Sequence, residues 1–526
     1  MESFIALRSR QVMHELTHID CKKATGPDRI SAVILRRLAT VIAIPLTILA
    51  RRILQEGVWP ECWKLHHLVP IYKRHSAFLA KNYRGIHLTC QMAKIVERVI
   101  STPLVRHLQC NAFGNNQWAF TKGRSARDLI ALCISNWILR ICTGSKVGLF
   151  LGDIAGAFDR VYKNYLMSKL YRAGVGDVYL NFLNSYLEPR IGKVTVEGVM
   201  SDTFEIADTV FQGSVLGPAL WNCFFADVSE AGCEFGGEAE LFADDLNIQH
   251  TFHVSVDNEF IYDKLKESQA AVHRWGRRNR VTFEPSKEQF VIIHSRGGEG
   301  APFTLLGNHF DPKLIMDLAI QHILHKNRPK ITAMLRTRGL YSVRDMIIQY
   351  KTHIWGHSEY QNASICHASP SLLLKLDAMQ RSFLHGLHLT EEVAFLDHNF
   401  LPPCTRRDIA ILGLIHKRVI GLAHSSFEKL LPWRQHIPRW EMVTHNKQLY
   451  NGRDKCICYH SMFHRSILGR ADTYNRLSQR LIDMDNIKDF QAELTNIVRK
   501  RCEAGHDAWK ETFDPNRFER HHAELL

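Results

Sequence analysis

Leu241-Phe242-Ala243-Asp244-Asp245-Leu246-Asn247-Ile248 is the stretch from which the chemistry of this chain is inferred. A hydrophobic run leads into two adjacent aspartates, and apolar residues then alternate with polar ones at Leu246 and Ile248. This pattern predicts a β-hairpin that carries carboxylates at or beside its turn. Asp-Asp is common in turns, so the pair taken alone indicates no more than a turn.

A second acidic site follows another apolar run. Val147 to Leu151 predicts a short buried strand that ends at Gly152-Asp153. A carboxylate there is costly unless it pairs or binds a cation, although a turn or N-cap role explains Asp153 taken alone. If the two strands are neighbours in one sheet, Asp153 would meet Asp244 and Asp245. A divalent cation would relieve their repulsion, and two Mg²⁺ or Mn²⁺ ions ~3.5–4 Å apart support phosphoryl transfer.

Between these two sites lies the glycine-containing stretch Val210-Phe211-Gln212-Gly213-Ser214-Val215-Leu216-Gly217-Pro218. Its glycines permit a close backbone approach, and the Gln212 side chain can hydrogen-bond a base or a sugar. The alternative is a plain loop into the helix predicted over Leu220 to Phe225. The residues alone leave both explanations open.

Three blocks stand in the order and at a spacing compatible with motifs A, B and C of reverse transcriptases. In these blocks the sequence resembles the enzymes of non-LTR (LINE-type, jockey-like) retrotransposons: Gly152–Asp159, Phe211–Pro218 and Phe242–Asp245. Further blocks resemble the opening, fingers, pre-A, D and E segments of that family: Lys23–Asp28, Trp63-Lys64, Val69–Lys73, Asn82–Leu88, Gln117–Phe120 with Ser125 and Asp128, Pro285–Lys287, and Leu305–Gly307. The resemblance covers residues 20–310 and extends more loosely to about residue 420.

The resemblance implies the catalytic residues. Asp153, Asp244 and Asp245 would form a carboxylate triad that holds two Mg²⁺ ions, with Mn²⁺ as the alternative. The Ile154 carbonyl would complete a coordination shell. Lys287 resembles the residue that protonates pyrophosphate as it leaves, a general-acid role. A surface lysine beside a strand is nearly as good an explanation of Lys287.

A nucleotide pocket is implied as well. Phe158 would be the aromatic gate that packs under the sugar and disfavours a 2′-hydroxyl. Gln212 and Gly213 would lie near the incoming nucleotide. Lys73 and Arg84 would hold the triphosphate, because a point cation and a forked donor suit its charge.

The sequence departs from the family pattern around this pocket. A proline is usual where Phe211 stands, and the usual Arg-Pro-Ile-Ser is here Arg84-Gly85-Ile86-His87. The usual asparagine of motif D is Glu284. None of these changes removes an expected metal ligand, but they alter the expected shape of the nucleotide pocket.

The implied fold class is α+β, a right-hand polymerase whose palm carries an antiparallel sheet. We expect five segments: an N-terminal lead-in (1–19), fingers (20–130), a palm with motifs A to E (131–310), a helical thumb (311–400) and a basic helical C-terminal extension (401–526). Full elements of this type carry an endonuclease, for which the ~20 residues before the first motif leave no room. The expectation is therefore a chain without that domain, served by a separate endonuclease.

Composition agrees with a nucleic-acid partner. Lys and Arg number 67 against 53 Asp and Glu, which gives a net charge of +14. This basic excess favours a polyanion, and the longest apolar run, Ala39 to Ala50, predicts a buried helix too short to span a bilayer. The expected partners are an RNA template, a DNA primer or target and deoxynucleoside triphosphates, with no membrane. The 13 scattered cysteines and the lack of a secretory signal indicate a reducing compartment, the nucleus or the cytoplasm.

Near the C-terminus, Cys456, Cys458, His460 and His464 form a compact cluster. Thiolate and imidazole are the preferred ligands of zinc, but the spacing is not that of a standard finger, and simple packing is the better explanation. Basic pairs and triplets in the same half of the chain predict either contacts with a nucleic-acid backbone or a solvated face: Arg406-Arg407, Lys417-Arg418 and Arg499-Lys500-Arg501.

Two other functions fit parts of the sequence. A viral-type RNA-dependent RNA polymerase would share this palm, but such enzymes usually carry Gly-Asp-Asp and a polar residue where Phe158 stands. A retroelement relic or domesticated RNA-binding scaffold would bind without catalysis. The intact Asp153, Asp244 and Asp245 argue against long decay.

Overall fold

The computed structural model describes residues 6–73, 76–154, 156–207, 210–436, 443–457 and 461–514. The chain divides into two compact units. The first unit comprises 1–121, 151–248 and 266–288, and the second comprises 122–150, 249–265 and 289–526. Neither unit is one continuous segment of sequence.

Helices dominate the described residues. Those before residue 280 are α1 (Ser9–Thr17), α2 (Ala32–Arg37), α3 (Ala39–Glu56), α4 (Gln91–Asn111), α5 (Ala126–Cys142), α6 (Lys163–Arg172), α7 (Asp177–Tyr186), α8 (Gly217–Phe225), α9 (Val228–Cys233) and α10 (Asn258–Asn279). Those after residue 314 are α11 (Asp317–Arg336), α12 (Val343–Tyr350), α13 (Gly356–Ser358), α14 (Asn362–Ile365), α15 (Pro370–Gly386), α16 (Glu391–His398), α17 (Pro403–Val419), α18 (Ser426–Leu430), α19 (Ser461–Arg465), α20 (Ile467–Tyr474), α21 (Gln479–Ile482) and α22 (Ile487–Glu503).

The described strands form three sheets. They are β1 (Leu65–Tyr72), β2 (Tyr83–Leu88), β3 (Ser145–Gly152), β4 (Arg190–Val196), β5 (Val199–Met200), β6 (Phe204–Ile206), β7 (Glu238–Phe242), β8 (Asp245–His253), β9 (Gln289–Ile293), β10 (Phe303–Leu305) and β11 (Asn308–Phe310). The first sheet has the order β2-β1-β4-β5, with β6 also on β4. The second has the order β7-β8-β3-β9, and the third is the hairpin β10-β11. This combination confirms the expected α+β fold class.

The first sheet is mixed. Strand β1 runs antiparallel to β2, with Tyr72 opposite Tyr83, and parallel to β4, with Leu65 opposite Ile191. A parallel pair needs a crossover connection, and more than a hundred residues separate β1 from β4.

Helix α10 packs its apolar face against strand β3. A Cβ atom at Gly148 of β3 would lie 2.8 Å from Ile261 Cγ2 and 3.4 Å from Leu265 Cδ2. Ile261, Leu265 and Val272 are fully buried, in line with a helical repeat of three to four residues. The missing side chain at Gly148 therefore lets the helix approach the strand.

Helix α3 corrects one expectation. The run Ala39 to Ala50 lies in a helix, as predicted, but the helix is not buried all round. Val41, Ile44 and Ile48 are 68%, 61% and 59% exposed, whereas Leu46 is 4% exposed. The only polar residues of this run are Thr40 and Thr47, and Thr47 lies on the buried face at 2% exposed, so the sequence pattern could not separate the two faces. Among the described residues, no helix combines the length and the hydrophobicity needed to cross a bilayer.

Candidate active site

The predicted carboxylate hairpin is present. Strand β7 ends at Phe242 and β8 begins at Asp245, so Ala243 and Asp244 form the connection. Ala243 has φ +57°, the left-handed conformation that tight two-residue turns require. Asp244 and Asp245 therefore lie at the tip of the hairpin, at a position set by the backbone of Ala243.

Two side chains outside the hairpin hold this turn. The Gln117 side-chain oxygen accepts hydrogen bonds from the backbone N–H groups of Ala243 and Ala119, each at 3.0 Å. The Trp221 indole N–H donates to the Ala243 carbonyl at 3.0 Å. Gln117 is fully buried. The sequence placed Gln117 in a family segment but gave no indication that it contacts the hairpin, since nothing local marks a glutamine as buried.

Asp153 directly follows β3, and two contacts tie it to the segment around Lys287. The Asp153 carbonyl accepts a hydrogen bond from the Glu284 N–H at 2.9 Å. The Asp153 carboxylate forms an ion pair with the Lys287 ammonium group. Lys287 closes a short 3₁₀ turn that begins at Pro285, and this turn aims its side chain at Asp153.

The three expected catalytic carboxylates interact electrostatically. Burial, followed by the Asp153 carboxylate, raises the pKa of Asp244 above its ordinary value. Burial, then Asp244, then Asp153 raise the pKa of Asp245 to about 7. Lys287 opposes both shifts, and Arg84 opposes the one at Asp244. The structure thus brings Asp153, Asp244 and Asp245 into one partly buried acidic cluster.

The donor set of this cluster has the chemistry of a magnesium site. Mg²⁺ prefers carboxylate and carbonyl oxygens, which Asp153, Asp244, Asp245 and the Ile154 backbone offer. Ile154 is buried and bridges to Phe283 in antiparallel fashion. In the described part of the chain, no three Asp, Glu, His or Cys side chains are already arranged as a metal site. The Asp153 carboxylate pairs with Lys287.

Phe158 lies in an aromatic stack beside the hairpin support. Its ring stacks on Trp221 with a centroid separation of 5.6 Å and an interplanar angle of 27°. It meets Phe120 edge to face at 6.5 Å. The Phe158 carbonyl accepts the N–H of Val210 at 2.9 Å, which links motif A to the start of motif B. Trp221 therefore contacts both Phe158, the expected gate, and Ala243 in the turn of the carboxylate hairpin.

Gln212 and Gly213 lie against strand β2. The His87 N–H donates to the Gln212 carbonyl at 3.0 Å. Gly213 has φ +102°, and a Cβ atom there would lie 2.9 Å from the His87 carbonyl oxygen. Both the backbone conformation and the close approach therefore require glycine at this position.

Lys73 and Arg84 lie at the same end of the β1–β2 hairpin. The Lys73 N–H donates to the Asn82 carbonyl at 2.9 Å, and Arg84 pairs with Ile71 across the two strands. The positive charge of Arg84 opposes the rise in the pKa of Asp244, so its guanidinium group acts on the acidic cluster. Lys73 directly follows strand β1.

Among the described residues, neither the Cys/His cluster nor the basic pairs of the C-terminal half form part of the acidic cluster. Cys458 and His460 lie outside the described residues, so the Cys/His cluster is not described as a whole. The basic pairs make internal contacts: Arg407 pairs with Asp377 at 3.0 Å, and Lys417 pairs with Asp128 at 2.7 Å. Arg406 pairs with Glu359. These three side chains are therefore occupied by carboxylates of this chain.

Comparison with known proteins agrees with the motifs. The family model described as "Reverse transcriptase (RNA-dependent DNA polymerase)" matches residues 71–326. The chain is 31% identical over 230 residues to "RNA-directed DNA polymerase from mobile element jockey" of Drosophila melanogaster, which covers 42% of this chain and 24% of that protein. It is 26% identical over 353 residues to "Probable RNA-directed DNA polymerase from transposon X-element" of the same organism, covering 62% of this chain and 38% of that protein.

Among solved structures, an apo telomerase from Candida tropicalis, truncated from its C-terminal domain, aligns with a TM-score of 0.36 and 12% sequence identity. The alignment covers 54% of this chain and 59% of the telomerase chain. The curated relatives are much longer: the matched region spans 24% and 38% of their lengths.

Proposed function

Because residues 71–326 of this chain are a reverse transcriptase domain, similar to those of jockey-like non-LTR retrotransposons, we propose that the protein is an RNA-directed DNA polymerase. It extends a primer 3′-hydroxyl with deoxynucleotides on an RNA template. The observation that carries this proposal is the acidic cluster of Asp153, Asp244 and Asp245 at the ends of the neighbouring strands β3 and β8, in which Asp153 raises the pKa values of Asp244 and Asp245 although motifs A and C are far apart in sequence.

Two Mg²⁺ ions fit the donor set, with Mn²⁺ as the alternative. Asp153, Asp244, Asp245 and the Ile154 carbonyl would hold them. Such ions stabilise the charge that develops on the attacking and leaving oxygens of phosphoryl transfer. The raised pKa values of Asp244 and Asp245 support this assignment, because crowded carboxylates with too little counter-charge favour an added cation.

Lys287 would deliver the proton that the leaving pyrophosphate takes up. Its ion pair with Asp153 supports this role, since it holds the ammonium group at the edge of the cluster where the reacting phosphate would lie. Arg84 and Lys73 would bind the triphosphate from the end of the β1–β2 hairpin. The charge of Arg84 already acts on Asp244, which supports its proximity to the reaction.

Phe158 would exclude the 2′-hydroxyl of a ribonucleotide, and Gln212 with Gly213 would contact the incoming nucleotide. The stacking of Phe158 on Trp221 supports a rigid gate, because a ring held on one face cannot swing aside to admit an extra hydroxyl group. The fingers, palm, thumb and extension with the boundaries given above belong to the same proposal.

The proposed partners are an RNA template, a DNA primer or target and deoxynucleoside triphosphates. The net charge of +14 supports binding to nucleic-acid phosphates, which is largely independent of sequence and weakens with salt. A retrotransposon enzyme acts inside the cell, in the nucleus or the cytoplasm.

Primer extension tests the proposal. We expect the purified chain with Mg²⁺ to extend oligo(dT) on poly(rA), and Asp244→Asn to abolish extension. Asp202→Asn, at an exposed position, is the matched control and should remain active. Extension that survives in Asp244→Asn would reject the site. A wild-type chain that binds RNA without extending any primer would favour the scaffold function.

Nucleotide choice separates the proposal from an RNA polymerase. The wild-type chain should prefer deoxynucleotides, and Phe158→Ala should raise ribonucleotide incorporation while leaving deoxynucleotide incorporation measurable. A parent protein that prefers ribonucleotides would reject both the gate and the assignment as a reverse transcriptase.

A further inference from the structure

Two histidines form a buried pair behind motif B. His66 of β1 and His87 of β2 are 3% and 4% exposed, and their Nδ1 atoms are 3.0 Å apart. The rings are perpendicular, with centroids 5.2 Å apart. A separation of 3.0 Å between two ring nitrogens is a hydrogen bond, so one Nδ1 carries the proton and the other accepts it.

The pair is neutral because of its surroundings. Burial, followed by nearby positive charges, lowers the pKa of His66 to about 2 and that of His87 to about 4. Those charges are Arg190 of β4 and Lys94 of α4. A neutral imidazole has one donor and one acceptor nitrogen, so the two rings adopt opposite tautomers and lock each other in place.

Phe211 of motif B sits against this pair. Its ring meets His66 edge to face at 5.1 Å and lies 5.7 Å from the His87 ring. The buried Arg190 guanidinium covers Phe211 at 4.6 Å from the ring centroid. Arg190 is itself held by the Glu188 carbonyl at 3.0 Å. Phe211 is thus enclosed by two imidazoles and a guanidinium group.

His87 also holds the next two residues of motif B through its backbone. Its N–H donates to the Gln212 carbonyl at 3.0 Å, and its carbonyl is the atom that a side chain at Gly213 would strike. The far end of the loop is held separately, since the buried Glu97 carboxylate accepts the N–H groups of Val215 and Leu216 at 2.8 Å. The His87 backbone therefore contacts the first half of motif B, and Glu97 contacts the second half.

We propose that His66 and His87 are positioning residues of the nucleotide pocket: their hydrogen bond, packed against Phe211, fixes the place of Gln212 and Gly213. The proposal rests on the proposed function for the role of Gln212. Phe211 and His87 both depart from the expected family pattern, and in this chain their rings lie 5.7 Å apart.

Amide hydrogen exchange over residues 210–217 tests the positioning role whether or not the chain polymerises. His87→Leu should speed exchange there ~5-fold, because a hydrogen bond contributes about 1 kcal/mol. His87→Asn can still hydrogen-bond His66 and should restore slow exchange. His67→Leu is the matched control, because the neighbouring strand residue is not part of the pair. Unchanged exchange in His87→Leu, or equal effects in His67→Leu, would overturn the proposal.

Steady-state kinetics supply the functional readout. His87→Leu should raise the KM for deoxynucleotide ~5-fold, the effect of losing one hydrogen bond, while the KM for template–primer changes little, and His87→Asn should recover the wild-type KM. Equal effects on both KM values would indicate a general structural defect and overturn the positioning role. A wild-type chain without extension would reject the proposed function, and the exchange measurement would still decide whether the pair positions the loop.

Discussion

The Lys287 ammonium group forms an ion pair with the carboxylate of Asp153, which lies 134 residues earlier in the chain. The lysine side chain is 46% exposed, and an ion pair so open to water contributes little to stability. Its importance lies in its place. It places a positive charge beside Asp153 and opposes the rise in the pKa values of Asp244 and Asp245.

Replacing this lysine should slow the reaction without unfolding the protein. We expect Lys287→Met to lower kcat for single-nucleotide addition ~100-fold, the lower end of what a general acid contributes, with little change in the KM for template–primer. Lys287→Arg keeps the charge but gives up its proton far less readily, so we expect it to be nearly as slow.

Rapid-quench extension measures both variants. Lys22→Met, at an exposed position in the N-terminal region, is the control for removal of a surface positive charge. A Lys287→Met enzyme with wild-type kcat would assign Lys287 to the surface and remove it from the mechanism.

Gln117 should matter to both stability and activity. In Gln117→Leu the N–H groups of Ala119 and Ala243 lose their acceptor in a buried environment, and we expect a loss of ~2–4 kcal/mol in the free energy of unfolding. Extension should fall as well, because Asp244 follows Ala243. Urea denaturation measures the first effect. Gln55→Leu, the same substitution at an exposed position of α3, should leave both quantities unchanged.

The buried histidine pair should make the protein acid-sensitive. In the unfolded chain both imidazoles take up protons near pH 6.5, whereas in the folded chain their pKa values are lowered to about 2 and about 4. The unfolded state therefore binds more protons as pH falls below 6.5, and folding loses up to ~1.4 kcal/mol per pH unit for each imidazole.

Denaturation at a series of pH values tests this. Between pH 6.5 and 4, the free energy of unfolding of the wild-type chain should fall more steeply than that of His66→Leu/His87→Leu, which has no imidazole to protonate at these positions. Parallel slopes for the two proteins would show that the pair can take up protons in the folded state.

Substitutions on the buried face of α3 should destabilise the protein far more than substitutions on its exposed face. Leu46→Ala removes a buried side chain and should cost ~2–5 kcal/mol, whereas Ile44→Ser, on the exposed face, should change stability by no more than ~0.5 kcal/mol. Urea denaturation of both variants provides the comparison. A large loss in Ile44→Ser would mean that this face is covered in solution.

The parts of the site that could be predicted are those with a local signal. The hairpin of Asp244 and Asp245 follows from a hydrophobic run before the two aspartates and alternating residues after them, and the close backbone approach at Gly213 follows from the glycine itself. Gln117 and His66 could not be found in this way. A buried polar residue differs from an exposed one only in what surrounds it, and those neighbours come from other elements.

The partners of the basic residues could not be predicted from the sequence either. Arg406, Arg407 and Lys417 fit a nucleic-acid contact equally well by sequence, yet each pairs with a carboxylate more than 25 residues away. Their charge is visible in the sequence, but the identity of the counter-ion is not.

Taken without coordinates, the amino-acid order was enough for the α+β class, the strand-end aspartates and the resemblance, because each depends on short patterns and on motif order along the chain. The folded structure was needed to show that Lys287 forms an ion pair with Asp153, that Gln117 accepts hydrogen bonds from the turn and that His66 and His87 are hydrogen-bonded to each other. Those facts depend on distance and desolvation, and residues separated by a hundred positions can have any distance between them until the chain has folded.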